Sequence, residues 1–301
     1  MNLCGIWFSV VKSKTAPVII PMPVNIKIIY FYTMKTAAEL NSGWRKVASS
    51  IYRRPTDSKI FGSVEIDITD LEMYIAEKRK KGIKATLTHI FILAAARALK
   101  EEVPEMNTYI KRGNVILRDH IDVMVSVLLR ESKMGSVLIK DADTLTLEEL
   151  IQVMNNEVHL SRQGSENKTM QIKDKLARIP WPFRGWVMRF LKTITADLGF
   201  SFPSLGLSAN SFGSFVVSNI GSLGLDMGYP ALFPSSNVSF VLVLGGVNRK
   251  PAVVGEQILP RTILSLGAAL DHRVVDASHG GLLFRYLKKI VKNPELLDER
   301  I

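Results

Sequence analysis

An unbroken apolar run, Thr262-Ile263-Leu264-Ser265-Leu266-Gly267-Ala268-Ala269-Leu270, stops at Asp271-His272-Arg273-Val274-Val275-Asp276 and gives way to helical spacing over Gly281–Val291. The first stretch reads as a strand and the second as a helix. Such a chain must seat a strand and a helix on one core, and the polar corner between them is held from both sides. A histidine at that corner is fixed by rigid elements and can point into a cleft. Its unperturbed pKa lets it take and return a proton near neutral pH, and a carboxylate follows four residues on. The spacing alone leaves a second reading open, in which Asp276 caps the helix and His272 is a satisfied core histidine.

The rest of the pattern is mixed. Helical spacing covers roughly 71–81, 87–102, 146–160 and 278–292; strand pattern covers roughly 60–67, 115–117, 121–129, 213–219, 237–244 and 262–270. The elements do not alternate regularly, which disfavours a doubly wound parallel sheet within the α/β class. The 301 residues fit one large domain or two small ones. The lone cysteine, Cys4, excludes an intramolecular disulfide framework and a cysteine-based metal cluster. His89, His120, His159 and His279 show no metal-ligand spacing, so no metal is expected, and His279 suits a capping or surface role. The net charge of +11 is spread over helices. It reads either as a solvated basic surface or as attraction to coenzyme A phosphates, membrane lipid or nucleic acid. No nucleic-acid module is present, and none is expected as a partner. Gly221-Ser222-Leu223-Gly224-Leu225-Asp226-Met227-Gly228 lacks the helix a dinucleotide fingerprint needs and reads as a connection between strands.

Several blocks together resemble one family. Asp271–Asp276 with Asn293-Pro294-Glu295-Leu296-Leu297, and Gly213-Ser214-Phe215-Val216-Val217-Ser218-Asn219-Ile220-Gly221, are the most specific, and they occur in the right order. Trp44-Arg45-Lys46, Glu65–Leu71, Thr88–Leu99, Pro104–Asn107, Leu138–Asp143 and Phe240–Val247 add to them. The chain is similar, from about residue 40 onward, to the catalytic domain of the acyltransferase component of 2-oxo acid dehydrogenase complexes (dihydrolipoamide acyltransferase), in the chloramphenicol acetyltransferase-like superfamily. The one departure inside the histidine block is Ala277, where the family has Gly.

The resemblance implies a mixed sheet flanked by helices, assembled as a homotrimer or larger homo-oligomer with active sites between subunits. It implies a coenzyme A thioester as co-substrate and no resident metal; residues that would bind coenzyme A are not assigned. Acyl transfer needs a base for the nucleophile's proton, for which His272 is suited, and donors for the oxyanion, a role that falls on Ser218. Without the resemblance, Ser218 reads as a strand-end hydroxyl in a local turn. The resemblance gives Asp276 structural support rather than a triad role, with Arg45 as its salt-bridge partner. Arg45 otherwise reads as a surface helix charge.

Departures bear on the acceptor. No lipoyl-bearing domain is expected on this chain, and Lys133-Met134-Gly135-Ser136-Val137-Leu138 lacks the proline of the family's segment. Residues 1–33 resemble no part of the family and read as an over-extended start or an added arm, with the domain running 34–301. About 166–210 looks inserted. Within it Phe183, Trp186, Val187, Phe190, Leu191 and Ile194 share a helical face, with Arg184, Arg189 and Lys192 off it. That face either packs on protein or lies on a membrane surface. The expected function is acyl transfer between coenzyme A and an acceptor. The alternatives are the core of a dehydrogenase complex served by a separate lipoyl-carrying protein, and a non-catalytic scaffold. The expected setting is cytoplasmic or peripheral to the membrane.

Overall fold

The computed structural model describes residues 58–128, 134–162, 179–180, 183–202, 211–233 and 236–301. The chain divides into two units, Met1–Pro55 and Thr56–Ile301, and all described residues belong to the second. The N-terminal extension and Arg45 lie outside the described residues.

The described elements run β1 (Lys59–Asp67), α1 (Thr69–Lys80), α2 (Leu87–Glu101), β2 (Thr108–Lys111), β3 (Asn114–Leu117), β4 (Val123–Leu128), β5 (Met134–Ile139), α3 (Leu147–Arg162), α4 (Phe183–Lys192), β6 (Phe215–Asn219), β7 (Phe240–Val254), β8 (Gln257–Asp271) and α5 (Ala277–Lys292). Six strands form one sheet in the order β1-β8-β7-β6-β4-β5, while β2 and β3 make a separate hairpin. Strands β4, β6 and β7 are parallel neighbours; β1, β8 and β5 pair antiparallel. This is the expected mixed sheet flanked by helices.

Helix α2 lies at the centre. Its sequence is apolar on every side, and every residue from His89 to Leu99 is buried, as a helix without a polar face must be. Three consecutive alanines give it high helical propensity. Thr86 caps it with an extended backbone, its hydroxyl accepting from the His89 N–H. Parallel strands covered on both sides read as continuous apolar runs, and Phe240–Leu244 is one, buried throughout. Phe215 and Phe240 stack in adjacent strands, centroids 4.7 Å apart.

Helices α1, α2, α3 and α5, strands β1, β4 and β6 and the end of β8 stand where the spacing places them. The β7–β8 pair does not end as expected. Strand pattern stops at 244 and resumes at 262, yet the strands run to Val254 and from Gln257, and a β-bulge between Leu244 and Val247 carries the ladder past Gly245-Gly246. Beyond Ile263 strand β1 pairs no further, so the outer ladder is a two-stranded ribbon with open edges. There Pro251 and Pro260 face each other without costing a neighbouring strand its bonds. Gly255, with φ of 62°, leads the two-residue turn as type II′ geometry requires. Both β2 and β5 went unexpected, being short and broken by polar residues.

Candidate functional site

Asp271 closes β8, and the following turn is organised around it. Its backbone carbonyl accepts the N–H groups of Val274 (3.0 Å) and Val275 (3.1 Å). Its carboxylate is 5% exposed and accepts the Arg273 backbone N–H (3.0 Å), Arg273 Nε (2.9 Å) and the Ser58 hydroxyl (3.1 Å). A buried carboxylate is stable only when so paired. The same bonds raise the Arg273 pKa further above its ordinary value. This pair sits inside the motif around His272 but was given no role from sequence. The legible signal was a carboxylate ending an apolar strand two residues before an arginine.

The turn delivers the histidine. The His272 backbone N–H continues the ladder to the Ser58 carbonyl (2.7 Å). Its ring Nδ1 lies 2.9 Å from the carbonyl of buried Val275. A carbonyl can only accept, so the proton of the neutral ring resides on Nδ1 and the lone pair on Nε2. Asp276 Oδ1 lies 3.2 Å from the same Nδ1, with both side chains about half exposed or more. Asp276 also begins α5, its N–H donating to His279 Nδ1 (2.9 Å). His279 is therefore part of the helix cap.

Ser218 is half-buried near the C-terminal end of β6. The chain just after it is fixed: Asn219 Nδ2 donates to Thr88 Oγ1 (3.0 Å), and Asn219 Oδ1 accepts Ser222 N–H (3.2 Å). Residues 221–228 then pack closely on the sheet. A Cβ on Gly221 would stand 2.2 Å from the Gly245 carbonyl oxygen, one on Gly245 2.0 Å from that of Asp226, and one on Gly267 2.4 Å from that of Gly228. The glycine-rich stretch is thus the expected connection between strands.

His272 and Ser218 do not meet within one chain. Ser218 is in register with Val243, and Val243 with Gly267, five residues before His272 and two strands away. That is ~16 Å along the strands and ~10 Å across them. Strands β6 and β8 run in opposite directions, so their C-terminal ends lie at opposite ends of the sheet. Of the other histidines, His89 is buried in α2, and exposed His120 Nδ1 contacts Asp141 Oδ1 at 2.7 Å, which raises its pKa.

The family model for 2-oxoacid dehydrogenases acyltransferase (catalytic domain) matches residues 35–172 and 204–298. The chain belongs to this family. The acyltransferase catalytic domain is 25% identical over 238 residues to the dihydrolipoyllysine-residue succinyltransferase component of 2-oxoglutarate dehydrogenase complex 1 of Arabidopsis thaliana, covering 77% of this chain and 42% of that protein. It is 22% identical over 278 residues to the dihydrolipoyllysine-residue acetyltransferase component of the pyruvate dehydrogenase complex of Rickettsia prowazekii, covering 90% and 58%. The chain thus spans about half the length of these relatives. A probable dihydrolipoamide acetyltransferase from Listeria monocytogenes has the same fold, with a TM-score of 0.58, 20% identity, and coverage of 84% of this chain and 92% of that one.

Proposed function

We propose that this acyltransferase catalytic domain moves an acyl group between coenzyme A and an acceptor thiol, at sites each built from His272 of one copy and Ser218 of another. One observation carries the reading. The Val275 carbonyl holds the His272 Nδ1 proton, and this leaves Nε2 as a base on a rigid corner. Nε2 takes the proton of the acceptor thiol, and the sulfur attacks the thioester carbonyl. The tetrahedral oxyanion accepts a hydrogen bond from the Ser218 hydroxyl of the adjoining copy. Collapse expels the coenzyme A thiolate, which recovers the proton from His272. No covalent acyl-enzyme is required, and no metal takes part. Asp276 supports the histidine loop.

The offset between His272 and Ser218 supports a homo-oligomer with shared sites, since no monomer can assemble the pair, and a closed homotrimer is the form the family resemblance implies. The acceptor that fits the family is a dihydrolipoyl group. The family's relatives are named as dihydrolipoyllysine-residue acyltransferases. A free-standing transferase with another acceptor is the second reading, favoured by the stretch of 173–203 that the family match leaves out.

The test is release of coenzyme A thiol from a panel of acyl-CoAs, with dihydrolipoamide and with other thiol, hydroxyl and amine acceptors. His272→Ala should lower turnover at least about 10²-fold, the ordinary contribution of a general base. A variant within threefold of wild type would remove the mechanism. Turnover with other acceptors and none with dihydrolipoamide would select the second reading.

A further inference from the structure

Helix α4 carries its aromatic residues outward. Phe183, Trp186 and Phe190 recur at intervals of three and four and are 59%, 69% and 64% exposed. On the same helix Val187 and Leu191 are half-buried and face the protein. Arg189, exposed, lies beside the aromatic stripe.

The root of the helix is firmly held. Thr193–Asp197 continues it as a π-turn in which Thr195 and Ala196 are buried. The Arg112 N–H donates to the Asp197 carbonyl (2.7 Å), and Asn237 Nδ2 to that of Ala196 (3.3 Å). Asn237 precedes Ser239, whose carbonyl accepts the Asp271 N–H (2.8 Å). The helix is therefore rooted at the His272 end of the sheet. Arg112 also stands 5.7 Å over the ring of Phe200, a further exposed aromatic.

Three large aromatic groups exposed on one face of the chain call for a partner. Arg189 lies beside them, and the chain as a whole carries +11. A short helix with Trp and Phe on one side and basic residues beside them suits the plane of a lipid–water interface. Charge favours anionic headgroups over neutral ones. No described helix is long and apolar enough to cross a membrane. We propose that the Phe183–Trp186–Phe190 face is a docking surface for an anionic lipid bilayer, with Arg189 against the headgroups. It brings the His272 end of the molecule to the membrane and is independent of the transfer chemistry.

The full chain is sedimented with phosphatidylcholine vesicles and with vesicles containing about 30% phosphatidylglycerol, at low salt and at about 0.5 M NaCl. Partition onto the anionic vesicles should exceed that onto neutral ones at least about tenfold and fall with salt. Trp186→Ser with Phe190→Ser should lower it at least about tenfold, with wild-type circular dichroism and oligomeric mass. Val253→Ser with Ile258→Ser, at the exposed tip of the β7–β8 ribbon, should leave it unchanged. Four results would each overturn the proposal. These are no preference for anionic vesicles, undiminished binding by the Trp186/Phe190 variant, equal loss in the ribbon variant, and dissociation of the Trp186/Phe190 variant into smaller species. The last would make this face a contact between copies.

Discussion

His89 is 5% exposed, and desolvation holds its pKa at about 4. Its ring Nδ1 lies 2.9 Å from the Thr86 hydroxyl, within hydrogen-bond distance. In the unfolded chain the imidazole titrates near 6.5. Between these values the unfolded state binds a proton that the folded state refuses. Stability is therefore unaffected above pH ~6.5, falls as the pH drops toward 4, and levels off below. The loss due to His89 should reach about 2.5 kcal/mol at pH 4.5. His89→Gln should reduce the drop in urea-unfolding free energy between pH 7 and 4.5 by that order, and an undiminished drop would contradict it. At this scale His272 was singled out by its type and place and Ser218 by the family resemblance, and their roles stand as proposals. The Val275 carbonyl and the Asp271–Arg273 pair were not legible, because what matters there is which backbone atom a turn aims at which ring nitrogen. Periodicity does not carry that.

Elements were legible where burial imposes a period. The apolar helix α2 and the buried halves of β7 and β8 follow the pattern of the core. Their outer halves pair with each other and reach the rest of the domain only through polar contacts such as Arg261 Nε to Asp67 Oδ2 (2.6 Å) and Asn248 Nδ2 to Asp226 Oδ1 (2.8 Å), so burial left no apolar period on Val247–Val254 or Gln257–Arg261, and two prolines masked them further. The same region contains the tightest backbone packing described. Gly245→Ala would drive a Cβ to 2.0 Å from the Asp226 carbonyl oxygen, which is backbone and cannot rotate away. The 221–228 connection must then lift from the sheet. The expected cost is about 1–3 kcal/mol in chemical unfolding, with turnover falling further than KM changes because Ser218 adjoins that connection. Gly255→Ala, at the ribbon turn, is the comparison: it strains a positive φ without disturbing Ser218 and should leave turnover unchanged.

For the whole molecule, the separation of His272 from Ser218 makes assembly testable by mixing. Chains carrying His272→Ala and chains carrying Ser218→Ala should each be nearly inactive. Co-expressed in equal amounts and assorted at random, they should regain about one quarter of wild-type activity, since a site is intact only when each copy supplies its good residue. Activity no greater than that of the two variants assayed apart would refute shared sites. Helix α2 carries a different consequence. Near its C-terminal end the fully buried Arg97 donates to the carbonyls of Leu296 and Glu299 in the tail. At its N-terminal end Thr88 receives the side chain of Asn219, next to Ser218. One stiff rod, ~14 Å between these points, thus has one foot in the tail and the other against the strand that presents the serine hydroxyl. A label or fusion placed on the last residues is therefore expected to be felt at Ser218, and turnover, on the role proposed for that residue, should register it before any unfolding signal does.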